Sequence, residues 1–338
     1  MNAVDMNQAA PSFLALFWAG VIAFSILAYV VLDGLDLGVG ILFGATRDPD
    51  LRGEMMGLIA PFWDGAETWL VVVGASLFAA FPSVYAIFLP AFYLPVLLLL
   101  IGLIFRGVAF EFRGRGGPSW LWSGGFWIGS ALAAFVQGAA VGAMILGVQV
   151  KNGQFAGGPF DWLRPLPILT GIGLMFGYAL LGAGWMILKS PTPLRDWAYE
   201  RAPFLAIGMT LFLLLASLLT VIQAHDVMTR LIQRPWADAF VLVGLAALSG
   251  VLRAIAARRD ALPFAFTALF FLAAFGFLAA AFWPYMIPYS VTVANAAAPE
   301  KSLSFLFWGA GIVVLPVVLI YSIVIHALFR GKLRVAGH

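Results

Sequence analysis

The chain has 338 residues, of which 63% are hydrophobic and 10% charged, with a mean hydropathy of +0.99. A soluble domain carries roughly 25% charged residues, so this composition excludes a wholly water-exposed surface. Cysteine is absent, which removes disulfides, thiolate metal sites and cysteine nucleophiles together. The formal net charge of +3 is small and unclustered, with no basic stripe to suggest a nucleic-acid partner.

Apolar runs long enough to cross a bilayer recur along the chain. They predict an all-α polytopic membrane protein with about nine transmembrane helices. These fall at 13–44 (long, interrupted near Asp33), 58–81, 84–105, 120–148, 166–188, 203–223, 237–256, 263–283 and 304–329. Phe81-Pro82, Gly116-Gly117-Pro118, Gly157-Gly158-Pro159, Pro191-Thr192-Pro193 and the stretch Pro284 to Pro288 mark the joints. Met1 to Pro11 holds Asp5 and no Lys or Arg, so the first helix reads as permanent rather than as a cleaved leader.

If the helices alternate, one side collects Arg47, Arg52, Arg106, Arg113, Arg115, Lys189, Arg195, Arg201, Arg253, Arg258, Arg259, Arg330, Lys332 and Arg334. The other collects Lys151, Arg164, Arg230, Arg234 and Lys301, a split of 14 against 5. The positive-inside rule then places the amino terminus outside and the carboxyl terminus in the cytoplasm. Tyr29-Val-Val-Leu-Asp-Gly and Tyr178-Ala-Leu-Leu-Gly-Ala share only a faint pattern, too weak for an internal duplication. The chain therefore reads as one transmembrane domain, 1–338, divisible into two four-helix bundles and a peripheral helix.

The informative residues are acids within or beside apolar spans. Asp33 and Asp36 are three apart, which places both near one helix face, and Asp64 and Glu67 repeat that spacing. Glu111 follows Arg106 in Phe105-Arg106-Gly107-Val108-Ala109-Phe110-Glu111. An ionised carboxylate in hydrocarbon costs at least about 2.5–3.5 kcal/mol, so such groups face the interior, pair or hold a proton. A file of them leading in from the cytoplasmic side suits proton relay. The structural alternative is equally weighted: Asp33 and Asp36 capping a helix break marked by Gly34 and Gly38, Asp64 paired with Arg106, or Glu67 with Arg52. Asp48, Asp50 and Glu54 read as solvated loop acids.

Only three histidines occur. His338 ends the chain, His225 opens an outer loop with Asp226, and His326 near the cytoplasmic end of the last span reads as an interface residue. A haem-binding bundle supplies axial His or Met from its own helices, and this supply is meagre. Two-His metal spacing, P-loops and nucleophile motifs are absent.

Leu32-Asp33-Gly34-Leu35-Asp36-Leu37-Gly38-Val39-Gly40 and Ile59-Ala60-Pro61-Phe62-Trp63-Asp64-Gly65 resemble the amino-terminal signatures of subunit II of cytochrome bd-type quinol oxidases. Phe78-Ala79-Ala80-Phe81-Pro82-Ser83-Val84-Tyr85 and Phe105-Arg106-Gly107-Val108-Ala109-Phe110-Glu111-Phe112-Arg113 also fit. So do Phe282-Trp283-Pro284-Tyr285-Met286-Ile287-Pro288 and Val314-Leu315-Pro316 to Tyr321, so the resemblance runs nearly the whole chain. It implies a multi-pass protein of the bacterial cytoplasmic (inner) membrane. The implied partner is subunit I, which binds two b-type haems and one d-type haem, or b in its place, and carries the quinol-oxidising loop. It further implies a complex that oxidises quinol, reduces dioxygen to water and draws the protons from the cytoplasm, without catalysis by this chain alone. A small single-helix accessory subunit and a structural quinone occur in some members, and the family includes cyanide-insensitive variants.

By the same resemblance, Asp64 and Glu111 correspond to acids of the cytoplasmic proton path, Asp33 and Asp36 to an acidic pair near it, and Arg106 to a residue that tunes them. Phe62 stands where some relatives have a polar residue or His, and Glu67 where some have Gln. A proton-coupled transporter using the same acids is the alternative from another class, although no second half mirrors them as paired repeats would. A purely structural membrane scaffold is the third reading.

Overall fold

The structure, a computed structural model, describes residues 10–113, 119–191, 193–329, 331 and 332, with residues 119, 225, 226 and 228 described by their backbone alone. Several residues named above lie outside that set: Asp5, Arg115, Gly116-Gly117-Pro118, Thr192, Arg330, Arg334, His338, and the side chains of His225 and Asp226.

The described residues are predominantly helical, and eight of their helices are long and apolar enough to cross a membrane. The first, α1 (Phe13–Phe43), starts where the Ser12 hydroxyl accepts from the Ala15 amide. It runs unbroken through Asp33, so the predicted interruption there is absent. α2 (Pro49–Ile59) is a short helix with Asp48 as its amino-terminal cap, accepting from the amides of Asp50 and Leu51. The three acids assigned to a loop therefore belong to this helix. Glu54, moreover, accepts a hydrogen bond from the Ser190 hydroxyl. Partial burial raises the Glu54 carboxyl above its ordinary value, against the opposing effect of that hydrogen bond.

α3 (Trp63–Ala80) begins five residues later than predicted. Asp64 and Glu67 dilute its hydropathy, and this second of the nine predicted spans is not among the eight. The predicted 84–105 span divides at Phe92 into α4 (Pro82–Ala91) and α5 (Tyr93–Phe112). This moves Arg106 out of a loop and into the body of a spanning helix. Without it the predicted split of Lys and Arg between the two sides is 13 against 5. α6 (Ser119–Leu146) returns, and the following connection carries the hairpin β1 (Val150–Lys151) and β2 (Gln154–Phe155). Asn152 and Gly153 both have positive φ at its two-residue turn, the conformation that Asn-Gly accepts at low cost.

α7 (Pro165–Lys189) follows, and α8 (Leu194–Gln223) begins nine residues before its predicted start, so that Arg195 and Arg201 ride on the helix. α9 (His225–Ile232) replaces the predicted outer loop; α10 (Asp238–Ala256) and α11 (Leu262–Phe282) match their predictions within a residue. A second hairpin of β3 (Tyr285–Ile287) and β4 (Val291–Thr292) leads through α12 (Val293–Ala296) to α13 (Glu300–Leu306). A π-helical turn over 307–311 joins α13 to α14 (Ile312–Leu328), and together they form the last span.

The core is centred on α7, which packs against α1, α6, α8 and α11. Residues 177–187 of α7 are buried without a gap, an all-round burial that a lipid-facing helix would not show. Close approach of α1 and α7 requires glycine at the crossing. A Cβ on Gly38 would lie 1.8 Å from the Tyr178 carbonyl oxygen, and one on Gly182 would lie 2.5 Å from the Val39 amide nitrogen. Small residues at such crossings let helix backbones touch, the main source of helix association in a membrane. At the Arg-rich end, Asp260 of the α10–α11 connection gathers Arg195 at 2.8 Å, Lys332 at 3.1 Å and the Tyr199 hydroxyl at 3.0 Å. Partial burial pushes the Asp260 carboxyl up, but those hydrogen bonds outweigh it and hold it below its ordinary value.

Replacing Gly38 by valine is expected to destabilise the folded protein by about 3 kcal/mol or more through overpacking at the α1–α7 crossing. Gly20→Val, where a Cβ would meet no atom within 4 Å, serves as the control. Thermal unfolding of the two detergent-solubilised variants distinguishes them; equal midpoints would contradict the crossing described here.

Candidate functional site: a buried acid–arginine cluster

Three helices bring the charges together. α1 supplies Asp33 and Asp36, both wholly buried, and α3 supplies Glu67. α5 supplies Arg106, 1% exposed, within reach because Gly102 and Gly129 let α5 and α6 approach backbone to backbone. Arg106 Nη1 lies 2.7 Å from Asp33 Oδ1, and Arg106 Nη2 donates to Glu67 Oε1 at 2.5 Å. One guanidinium thus ties α1 to α3 through α5. The predicted alternatives, Asp64 with Arg106 and Glu67 with Arg52, do not form; Arg52 instead donates to the Phe43 carbonyl at 3.3 Å.

Burial is graded through the cluster. Asp64, one turn before Glu67 on α3, is exposed, the Glu67 side chain is 27% exposed, and Asp33 and Asp36 are closed off. Neither carboxylate oxygen of Asp36 has a hydrogen-bond partner among the described residues. Glu111 lies five residues beyond Arg106, on the exposed side of the last turn of α5 and outside the cluster. Of the five predicted acids, three therefore converge on Arg106, Asp64 stands at the outer edge of that group, and Glu111 stands apart.

Sequence reasoning did not single out the uncharged neighbours. The Tyr178 hydroxyl donates to Gln137 Oε1 at 2.9 Å, and Gln137 Nε2 donates to the Tyr29 hydroxyl at 3.1 Å. Tyr29 precedes Asp33 by one helical turn, so a hydrogen-bonded thread crosses α7, α6 and α1 and arrives beside the acids. The faint Tyr29 and Tyr178 pattern touched both ends of this thread without revealing it. Gln137, a lone amide inside an apolar span, was the signal that could have found it. Tyr178 also explains Gly34, where an added Cβ would lie 2.6 Å from the tyrosine ring.

The aromatic position Phe62 is occupied on its face by histidine from elsewhere. The ring of His326 on α14 lies 4.7 Å from that of Phe62, and His326 Nδ1 is 2.8 Å from the Ser322 carbonyl oxygen. On the same helix, Tyr321 packs over Gly65 and the Ser322 hydroxyl accepts from the Trp69 indole at 3.2 Å, so α14 is seated against the start of α3. No group of three or more acidic or histidine side chains with metal-holding geometry occurs among the described residues.

This is a polytopic α-helical membrane protein with an ion-paired carboxylate cluster inside its bundle. A family profile described as cytochrome bd terminal oxidase subunit II matches residues 14–329, and the chain belongs to that family. Among curated proteins it is 32% identical over 195 residues to the probable cytochrome oxidase subunit 2 of Haemophilus influenzae, covering 55% of this chain and 52% of that protein. It is 35% identical over 169 residues to the cytochrome bd-I ubiquinol oxidase subunit 2 of Escherichia coli K12, covering 47% and 44%. The match to these two therefore spans about half of their length. A longer alignment, 27% identical over 326 residues, covers 93% of this chain and 95% of the cytochrome bd ubiquinol oxidase subunit 2 of Bacillus subtilis. A chain of the bd oxidase structure from Geobacillus thermodenitrificans superposes with a TM-score of 0.79 at 14% identity, over 94% of this chain and 99% of that one, and so shares the fold.

Removing the guanidinium leaves a buried carboxylate without its counter-ion, so Arg106→Gln is expected to destabilise the fold by about 3–5 kcal/mol. Adding Asp33→Asn removes the stranded charge and is expected to recover a large part of that loss. Thermal unfolding of both variants tests this; a double variant no more stable than the single one would contradict the direct pairing.

Proposed function

We propose that the chain is the haem-free second subunit of a cytochrome bd-type quinol:oxygen oxidoreductase in a bacterial cytoplasmic membrane. In this reading it supports the haem-bearing subunit I and helps conduct cytoplasmic protons to the oxygen-reduction site there. The observation that carries the proton role is the graded burial from Asp64 through Glu67 to Asp33 and Asp36. Asp64 exchanges protons at the surface, Glu67 stands between surface and core, and Arg106 offsets the negative charge that the acids would otherwise accumulate. Glu111 serves the approach at the cytoplasmic end of α5.

The face of α3 supports a partner there. Asp64, Val71, Ala75 and Phe78 are exposed along one stripe, and Gly74 beside them has open space where a Cβ would stand. Charge at its cytoplasmic end is ill suited to lipid tails, and the small residues at its middle would let another helix approach closely. Haem ligation is assigned to subunit I. Within the spans of this chain the one histidine is His326, engaged by Ser322 and Phe62. The 14 predicted cytoplasmic positive charges, less Arg106, favour the orientation with the amino terminus outside.

A scaffold reading is favoured by the Arg106 pairs themselves, which join three helices as a structural bridge would. Asp64 separates the two readings, because it makes no ion pair among the described residues. In a complex that assembles with its normal haem spectrum, Asp64→Asn is expected to slow quinol-dependent oxygen consumption about tenfold or more, equivalent to ~1.4 kcal/mol on the barrier. Unchanged turnover would remove Asp64 from the route. Solute or proton movement by this chain alone in liposomes would favour the proton-coupled transporter instead.

A further inference from the structure

At the Arg-rich end of the bundle α1 closes on Phe43, whose buried ring meets the Phe126 ring of α6 at 5.0 Å. Two guanidinium groups rest on this single ring. Arg52 of α2 has its Cζ 4.6 Å from the ring centroid, and Arg113, at the end of α5, has its Cζ 4.9 Å away. Cation–π contact accounts for one such placement; two like charges on one ring repel each other. Burial and the Arg52 charge together push the Arg113 guanidinium down from its ordinary value.

Neither arginine has a carboxylate partner among the described residues. Of the acids at α2, Asp48 caps the helix, Glu54 accepts from Ser190, and Asp50 is exposed on the first turn. Arg52 uses Nε on the Phe43 carbonyl, and Arg113 uses Nη1 on the Met56 sulfur at 3.0 Å, a weak acceptor. A guanidinium has five N–H donors, and both side chains are half-buried, so most donors on both have no protein acceptor among the described residues. A further donor is close by in the fold: the Trp122 indole N–H is buried without an acceptor among the described residues. Trp122 lies one turn before Phe126 on α6, and its ring stacks at 5.6 Å on Phe112, the neighbour of Arg113.

Two guanidinium groups with spare donors and one indole N–H with no acceptor among the described residues, gathered by α1, α2, α5 and α6, describe a receptor for an anion. Paired guanidinium forks suit the several acceptor oxygens of a phosphate group. The position also indicates which phosphate. α1 ends at Phe43 and α5 at Phe112, so the two arginines stand where a bilayer's hydrocarbon gives way to its headgroups. Basic pockets between helices at that depth take anionic headgroups.

We propose that Arg52 and Arg113 form a phosphate-binding clamp over Phe43 that holds the headgroup of an anionic phospholipid. The same chemistry would accept free inorganic phosphate, and the test separates the two. The protein is extracted in mild detergent with the chains that accompany it, supplied with phosphatidylglycerol, phosphatidylcholine or inorganic phosphate, and examined by native mass spectrometry.

The wild-type protein is expected to retain phosphatidylglycerol in preference to phosphatidylcholine, and Arg52→Gln/Arg113→Gln to retain about tenfold less, as loss of charge-assisted hydrogen bonds implies. Arg201→Gln/Arg253→Gln removes equal charge elsewhere and is expected to leave retention unchanged. Arg52→Lys/Arg113→Lys, which preserves charge and is gentler on folding, is expected to fall between. Arginine-dependent binding of inorganic phosphate that displaces the lipid would support the clamp with free phosphate as its occupant. Equal lipid retention by the wild type and both Arg52/Arg113 double variants, with no arginine-dependent phosphate binding, would overturn the proposal.

Discussion

The structure depends on one buried guanidinium. Arg106 is almost without solvent contact, yet it reaches Asp33 on α1 and Glu67 on α3 from its own place on α5. A cation in a low-dielectric interior is tolerable only when it is paired, and each partner is likewise tolerable only because Arg106 is there. The three helices are therefore mutually constrained in height and rotation. A shift of α3 by one residue along its axis would turn Glu67 away and leave charges unmatched. Apolar packing alone specifies such registers weakly in a membrane, where lipid tails solvate leucine as well as another helix does.

Glycine makes that constraint reachable. Gly38 and Gly182 bring α1 and α7 into backbone contact, Gly34 accommodates the Tyr178 ring, and Gly102 faces Gly129 where α5 meets α6. Each places a polar group against the cluster: the Tyr178 hydroxyl joins the thread through Gln137 to Tyr29, and Arg106 is carried inward on α5. The glycines of these spans are thus part of the electrostatic design as well as of the packing. At the far end of α1 the same logic is incomplete. Arg52 and Arg113 both rest on the Phe43 ring with no ion-paired acid among the described residues, in contrast to the closed pairing around Arg106.

The spans were legible because bilayer thickness imposes a length that a run of apolar residues must meet. α10 and α11 fell within a residue of expectation for that reason. Hydropathy cannot see where an apolar run bends, so the division at Phe92 was hidden, and with it the burial of Arg106. The supposed break near Asp33 failed on the opposite count. Two acids and several glycines in an apolar helix look like irregular backbone, whereas they are explained by a partner cation and by a tight crossing with α7. The acids themselves were recognisable as out of place, but which of them meet was not: residue spacing gives neighbours within one helix, and these contacts join three. Gln137 passed unnoticed because an uncharged amide costs little in a hydropathy average.

A cluster that fixes helix positions and also moves protons must keep some member free to titrate while another stays paired. The arrangement meets that condition, with Asp33 held at 2.7 Å from Arg106 while Asp36 has no hydrogen-bond partner among the described residues and Glu67 reaches the surface. The most direct test of this account is time-resolved proton uptake by the assembled oxidase carrying Glu67→Gln, followed with a pH-sensitive dye on the cytoplasmic side after oxygen is admitted to the reduced complex. Markedly slowed uptake with haem content and electron input intact is the predicted result. Uptake at the wild-type rate would contradict the claim that protons pass through this cluster.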